Sequence, residues 1–145
     1  MRTIKVIGIG AGHPEHFLLS ALVRRAVGLR ESGAGELRLG NLDSVRDYLH
    51  VADVVRAYLL LVQKGTPGEV YNVCSGEGVS AGDLAREVLL RLGSTAEITS
   101  DPALVRGVDV PVLVGSPAKL KHATGWQPTH TRADIIDDLI HAATR

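Results

Sequence analysis

Alternation and helical spacing divide the chain into strands and helices that follow one another in turn. From Leu37 to Val62 the sequence LRLGNLDSVRDYLHVADVVRAYLLLV reads as an apolar strand, a polar turn, a second short strand and a strongly amphipathic helix. The helix places Val51, Val54, Val55, Tyr58, Leu59 and Val62 on one face, the spacing of a stripe packed on a sheet. Gly65, Pro67 and Gly68 stop it. Glu69 to Cys74 alternates and is rich in β-branched residues, so it predicts a strand, joined through the preceding helix to a parallel neighbour by a right-handed crossover. Ser75-Gly76-Glu77-Gly78 turns the chain. Ser80 with Asp83 predicts the cap of a helix whose buried face is Leu84, Ala85, Val88, Leu89 and Leu92.

Upstream, Thr3 to Ile9 reads as a short strand running into Gly8, Gly10 and Gly12. Pro14 suits the first turn of a helix with Phe17, Leu18, Ala21, Leu22 and Val27 inward and Arg24 and Arg25 outward. Glu31 to Glu36 is expected to be a loop. Downstream, Ala96 to Thr99 is a short strand candidate, and Asp101 to Pro111 is irregular. Ser116 is placed to cap a helix from Pro117 to Thr124, stopped by Gly125 and Pro128. A last helix runs from Thr131 to Thr144 with Ile135, Ile136, Leu139, Ile140 and Ala143 inward.

Composition narrows the function classes. The chain has 145 residues, enough for one domain with a real core, and hydrophobic residues make up 45% against 3% aromatics, so that core is aliphatic. Formal net charge is zero, with no basic run to hold nucleic acid or an anionic membrane surface. No apolar stretch reaches the roughly 18 to 20 residues of a bilayer span, and MRTIKVIGIG lacks the pattern of a secretory leader. The expected compartment is the cytoplasm. The single cysteine, Cys74, forms neither an internal disulfide nor a thiolate metal cage and is expected to pack at a strand end.

Chemistry concentrates in the turn carrying Asn41, Asp43, Ser44, Arg46 and Asp47. An arginine held between two strands can meet a phosphate with a planar fork of donors, or Arg46 and Asp47 can simply be a solvated charge pair. The glycines after the first strand suit either a phosphate-binding loop or a tight turn. Their G-x-G-x-G spacing departs from the dinucleotide fingerprint, which favours the turn. His13 and His16 stand three apart without a third ligand, as surface histidines do. Trp126 is read as a packing anchor. Arg106 with Asp109 is by default a salt bridge.

Three blocks, in order, resemble the carboxyl-terminal half of extended short-chain dehydrogenases/reductases, the NAD-dependent epimerase/dehydratase family. They are Gly40-Asn41-Leu42-Asp43 with Arg46-Asp47-Tyr48, Val70 to Gly76, and Arg106 with Asp109-Val110-Pro111 and the closing Thr124-Gly125-Trp126-Gln127-Pro128. The branch they resemble comprises GDP-mannose 4,6-dehydratases and GDP-4-keto-6-deoxy-mannose reductases. The resemblance implies an α/β fold, a small and mainly parallel sheet with flanking helices, in which residues 1–145 form a single substrate-binding domain. It implies a nucleotide sugar, GDP-mannose or a derivative, as ligand, with Asn41, Arg46, Arg106 and Asp109 as substrate-binding residues and two guanidinium groups facing the diphosphate. Ile7 and Gly8 stand where the family has Asn-His, so one substrate contact is missing.

The family's hydride chemistry needs an amino-terminal Rossmann half that holds NADP and supplies a Tyr-x-x-x-Lys pair. Here Tyr48, Tyr58 and Tyr71 are followed four residues later by Ala52, Val62 and Ser75. The chain is therefore expected to bind no cofactor alone, to carry no catalytic residue, and to be a truncated or split form. In the family the strands matching Ile4 to Ile9 and Glu69 to Cys74 close a larger sheet. Self-association or a partner supplying the other half is accordingly expected. The alternative from another class is a non-enzymatic remnant acting through association. A more distant alternative rests on VIGIGAGHPEH, which resembles the opening of S-adenosylmethionine-dependent tetrapyrrole methyltransferases and ends near His16.

Overall fold

The computed structural model describes residues 4–6, 17–33, 35–105 and 110–145. Its elements, in order, are β1 (Ile4–Val6), α1 (Leu18–Ser32), β2 (Glu36–Leu39), β3 (Val45–Asp47), α2 (Val51–Lys64), β4 (Tyr71–Val73) and β5 (Gly78–Ser80). There follow α3 (Ala81–Leu92), β6 (Glu97–Ser100), a single 3-10 turn (Pro102–Leu104), β7 (Val112–Leu113), α4 (Ala118–Thr124) and α5 (Arg132–Ala143). The α/β class and the mainly parallel pairing follow the sequence, and among the described residues the strands fall into three small sheets. β1 pairs with β4 and β2 with β6, both parallel, while β3 sits between antiparallel β5 and parallel β7.

Two apolar clusters hold these layers. In the first, α1, α3 and α5 pack together over β2, with Leu19, Leu22, Leu37, Leu84, Val88, Ile135 and Ile136 at its centre. The second joins α2, α4 and β4 through Val54, Leu61, Tyr71, Val73, Leu120 and Trp126. Trp126 is the packing anchor expected of it: its ring is buried and its Nε1 donates to the Asp53 carbonyl at 3.0 Å. Cys74 lies buried just past β4, also as expected.

Several boundaries and faces differ from the pattern reading. α1 buries Leu19, Ser20, Leu22, Val23, Ala26 and Val27, while Phe17 is exposed and Leu18 and Ala21 are only half-buried. The inward stripe is therefore rotated, because α3 and α5 meet the helix on the Leu19–Val23 side. The helix also persists to Ser32, and Gly33, at φ 68°, supplies the left-handed residue that lets the chain leave it. β5 and β7 were not anticipated. β5 continues directly into α3 and β7 has only two residues, too short for a periodic signal.

The largest correction concerns α2. Val54, Ala57 and Leu61 face the core, whereas Val51, Val55, Tyr58, Leu59 and Val62 are exposed. The helix carries two apolar stripes, and a single-face reading merges them. Serine and threonine caps fix α3 and α5. Ser80 Oγ accepts from Asp83 N at 3.0 Å, as anticipated. At α4 the N-cap is Pro117 rather than Ser116, whose hydroxyl reaches the Ala118 amide only at 3.5 Å. Thr131 and Asp134 form a reciprocal capping box at α5, with Ile140 and Ala143 at the edge of its buried face.

Candidate functional site

The turn 41–44 is shaped by its own side chains. Asn41 Oδ1 accepts the Asp43 amide at 3.0 Å, an Asx turn, and the Ser44 hydroxyl donates to the Asn41 carbonyl at 3.2 Å. The carbonyls of Leu42 and Ser44 accept from Gly82 and Ala81 at 2.9 and 3.0 Å, which docks the turn on the start of α3. Asn41 thus has a structural duty at the place where the resemblance implies a substrate contact.

β3 then sends consecutive residues to opposite faces. Asp47 points inward and is 1% exposed. Its carboxylate accepts from Ser75 N and Gly76 N, each at 2.9 Å, from the Ser75 hydroxyl at 2.6 Å and from Gly115 N at 3.3 Å. The solvated-pair reading of Arg46 and Asp47 is wrong for Asp47. A buried carboxylate is retained because three backbone amides and a hydroxyl replace its water. Gly115 is required by this closeness, since a Cβ there would lie 2.5 Å from Cys74 Sγ. Burial, reinforced by the negative charge of Asp47, pushes the Cys74 thiol up to about 11, so it is inert.

Arg46 is half-buried on the other face. Its Nη1 donates to the carbonyls of Val45 and Val110, both at 2.8 Å, and Val45 N donates to the Pro111 carbonyl at 2.8 Å. Arg106 and Asp109 lie outside the described residues. Val110, whose carbonyl accepts from Arg46, is the next residue that the structure describes. The glycine-rich start and His13 and His16 also lie outside the described residues.

A second polar constellation escaped the sequence reading. Asp53, in the first turn of α2, has no exposed surface. It accepts from Thr129 N, Thr129 Oγ1 and His130 N at 2.8–3.1 Å and pairs with Arg56. Burial alone would raise its carboxyl, but donation from the His130 amide, Arg56 and Thr129 outweighs that cost and holds it well below the usual carboxylate range. His50 caps α2, its Nδ1 accepting from Ala52 N at 3.1 Å while Nε2 meets Asp138 at 3.0 Å. The His50 and His130 rings stack with centroids 4.1 Å apart. An acidic residue in the first turn of an amphipathic helix was the available signal.

Beside this constellation lies a cleft of about 450 Å³ lined by Tyr48, Ser75, Glu77, Glu87, His130 and Arg132, and neither Asn41 nor Arg46 lines it. Burial pushes the Tyr48 phenol up to about 12, and Tyr71 Oη accepts the Thr66 amide at 3.0 Å. None of the three tyrosines in the chain has a lysine four residues on. Among the described residues no group of His, Cys, Asp and Glu could hold a metal ion, and no helix is long and apolar enough to cross a membrane.

With the geometry in hand, comparison with known proteins decides the relationship. The family model for GDP-mannose 4,6 dehydratase matches residues 9–139. The chain belongs to this family. The GDP-mannose 4,6 dehydratase match begins inside the segment that resembles a methyltransferase opening, and all three motif blocks fall within it. Within the wider relationship, the chain is 37% identical over 125 residues to the GDP-6-deoxy-D-mannose reductase of Pseudomonas aeruginosa, covering 85% of this chain and 41% of the reductase. It is 32% identical over 130 residues to the UDP-glucose 4-epimerase of Streptomyces lividans, covering 86% and 39%. The solved structure of RMD from P. aeruginosa complexed with NADPH superposes with a TM-score of 0.87 at 30% identity, over 98% of this chain and 47% of that one. The chain thus spans under half the length of these relatives. Its α/β architecture corresponds to their carboxyl-terminal part.

Proposed function

We propose that this chain is the nucleotide-sugar-binding portion of a GDP-mannose 4,6-dehydratase/reductase-like protein, with residues 1–145 forming one substrate-binding domain. In this reading Arg46 and Arg106 take the diphosphate of GDP-mannose or a derivative, with Asn41 and Asp109 alongside. The observation that supports it is the hydrogen bond from Arg46 to the carbonyl of Val110, a contact between the first motif block and a residue of the third that is distant in sequence. Guanidinium groups suit a pyrophosphate because each offers paired donors to two oxygens and stays charged. The relatives supply the chemical class, since the P. aeruginosa protein is named a GDP-6-deoxy-D-mannose reductase.

The reading assigns no catalysis to the chain alone. Reduction or dehydration in this family draws on NADP and a tyrosine–lysine pair, and the residues here provide neither. A complementing amino-terminal half, or a second copy, completes the protein, and the cytoplasm is the expected setting. Titration calorimetry with GDP-mannose tests the binding claim. Wild type is expected to bind, and Arg46→Ala and Arg106→Ala each to bind about 10-fold more weakly or worse, the loss of one charge-assisted contact. Absence of heat with wild type, or unchanged affinity in both variants, overturns it and leaves the remnant reading.

A further inference from the structure

Gly40 opens the first motif block, and it is not among the glycines held at positive φ, so its backbone alone does not require a glycine. Space does. A Cβ built there would lie 2.5 Å from the Leu104 carbonyl oxygen and 2.9 Å from its carbon, with Val105 N at 3.3 Å. All three are backbone atoms, which cannot swing aside as a side chain can, and non-bonded carbon prefers about 3.5–4.0 Å. The turn that closes on Gly40 is tied down. Asp101 N donates to the Leu39 carbonyl at 2.7 Å, the Ser100 hydroxyl to the Gly40 carbonyl at 2.9 Å, and Asp101 Oδ1 accepts the Ala103 amide at 2.9 Å. Leu104 N and Val105 N donate to the Asp101 and Pro102 carbonyls at 3.0 and 3.2 Å, which closes the 3-10 turn on itself. β6 therefore delivers a stiff turn onto the bare end of β2.

The same run of chain returns to Arg46. The Val110 carbonyl accepts from Arg46 Nη1 and the Pro111 carbonyl from Val45 N, both at 2.8 Å. β7 then runs parallel to β3, with Val45 opposite Val112 and Arg46 opposite Leu113. The turn 41–44 is held on α3 through the Leu42 and Ser44 carbonyls, so the 3-10 turn is the part that yields to a larger residue at position 40. A methyl there must push it outward by about 1 Å, whereas groups that bind a ligand need placing to within about 0.5 Å. We infer that Gly40 is a positioning residue for Arg46. Its missing side chain lets the 3-10 turn seat on the end of β2, and that seat sets the point at which Val110 meets the guanidinium. Gly40 acts on the ligand only through Arg46. The consequence for binding rests on the reading of Arg46 as a diphosphate contact, and the seat itself rests on backbone geometry alone.

Two measurements on the full chain test it, one of them without ligand. Amide hydrogen exchange reads the seat: in Gly40→Ala the Val45 amide, donor to Pro111, should exchange about 10-fold faster than in wild type, with the Asp83 amide of the α3 cap unchanged. Titration calorimetry with GDP-mannose reads the consequence. Gly40→Ala should bind about 10-fold more weakly, and the same change should cost under about 2-fold when Arg46 is already alanine, the non-additivity of residues that act as a unit. Asp101→Ala, which removes the cap of the 3-10 turn, should move both readouts in the same direction by a smaller factor, and it decides the matter if Gly40→Ala does not fold. Gly28→Ala, in α1 with open space around its Cβ, should change neither. A Val45 amide as protected as in wild type, wild-type affinity in Gly40→Ala, or an affinity loss as large without Arg46 as with it overturns the inference. If wild type gives no heat with GDP-mannose, the ligand reading fails, and exchange at Val45 alone judges the role of Gly40.

Discussion

Replacing Asp53 by asparagine should be among the most damaging single changes in the molecule. The carboxylate is wholly buried and receives the Thr129 and His130 amides, the Thr129 hydroxyl and Arg56. An amide side chain offers one acceptor oxygen in place of two and turns an NH₂ toward donors. At least one backbone amide then lacks an acceptor, at about 1–3 kcal/mol, while Arg56, itself 39% exposed, can turn to water once its counter-charge is gone and adds under about 1 kcal/mol. The expected loss is about 2–3 kcal/mol. Urea unfolding followed by Trp126 fluorescence is a direct assay, since that indole bonds the Asp53 carbonyl. The charge also sets a pH dependence. A carboxyl held below its unfolded value of about 3.9 contributes stability above that pH and loses it as pH falls toward the lower folded value. Wild type should therefore lose stability more steeply than Asp53→Asn below about pH 4. The exposed partner of Arg91 gives a control: Asp137→Asn should cost under about 1 kcal/mol. A loss below about 1 kcal/mol in Asp53→Asn, or parallel acid profiles, would refute the reasoning.

Further outcomes follow from other contacts. Gly115→Ala should destabilise by about 1–3 kcal/mol, because the added methyl meets Cys74 Sγ; an unchanged urea midpoint would show that the segment yields. Thr131→Ala should cost about 0.5–2 kcal/mol through loss of the α5 capping box, again read from urea midpoints. Cys74 should react with a disulfide reagent at pH 8 only after denaturant is added, since burial both covers the thiol and raises it to about 11. Tyr48, pushed up to about 12 by burial, should stay protonated at pH 11 in an absorbance titration at 295 nm. Its folded value lies above the unfolded one near 10, so its contribution to stability holds below about pH 10 and drains away as pH climbs toward 12.

Elements with long, regular spacing were legible in the sequence. α3 buries the five residues its pattern names, and its Ser80–Asp83 cap is where the residues put it. That the Glu69–Cys74 segment pairs in parallel was also visible from the fourteen-residue helix before it, but its neighbour is β1 and not the strand that feeds that helix. What failed did so for identifiable reasons. One helical stripe was drawn through α2 where two exist, since valine and leucine score alike whether they face a core or not. Strands of two or three residues such as β7 and β5 are set by neighbours, not by their own period. The polar hubs at Asp47 and Asp53 depend on amides from residues 28 to 77 positions away, information no local window contains. Asn41 and Arg46 were found through motif order rather than through their chemistry. The structure gives both a backbone-holding task that the motif alone does not reveal.

The pair Arg46–Asp47 also acts as a register lock. β3 is three residues long, and so short a ribbon could in principle slide one place along β5 and β7 at little loss of ladder bonds. A slide of one place would turn the guanidinium into the aliphatic interior and strand the carboxylate in water, depriving the amides of Ser75, Gly76 and Gly115 of their acceptor. Opposite charges on adjacent positions thus leave the misaligned arrangement with two faults at once, and a minimal strand acquires a single alignment.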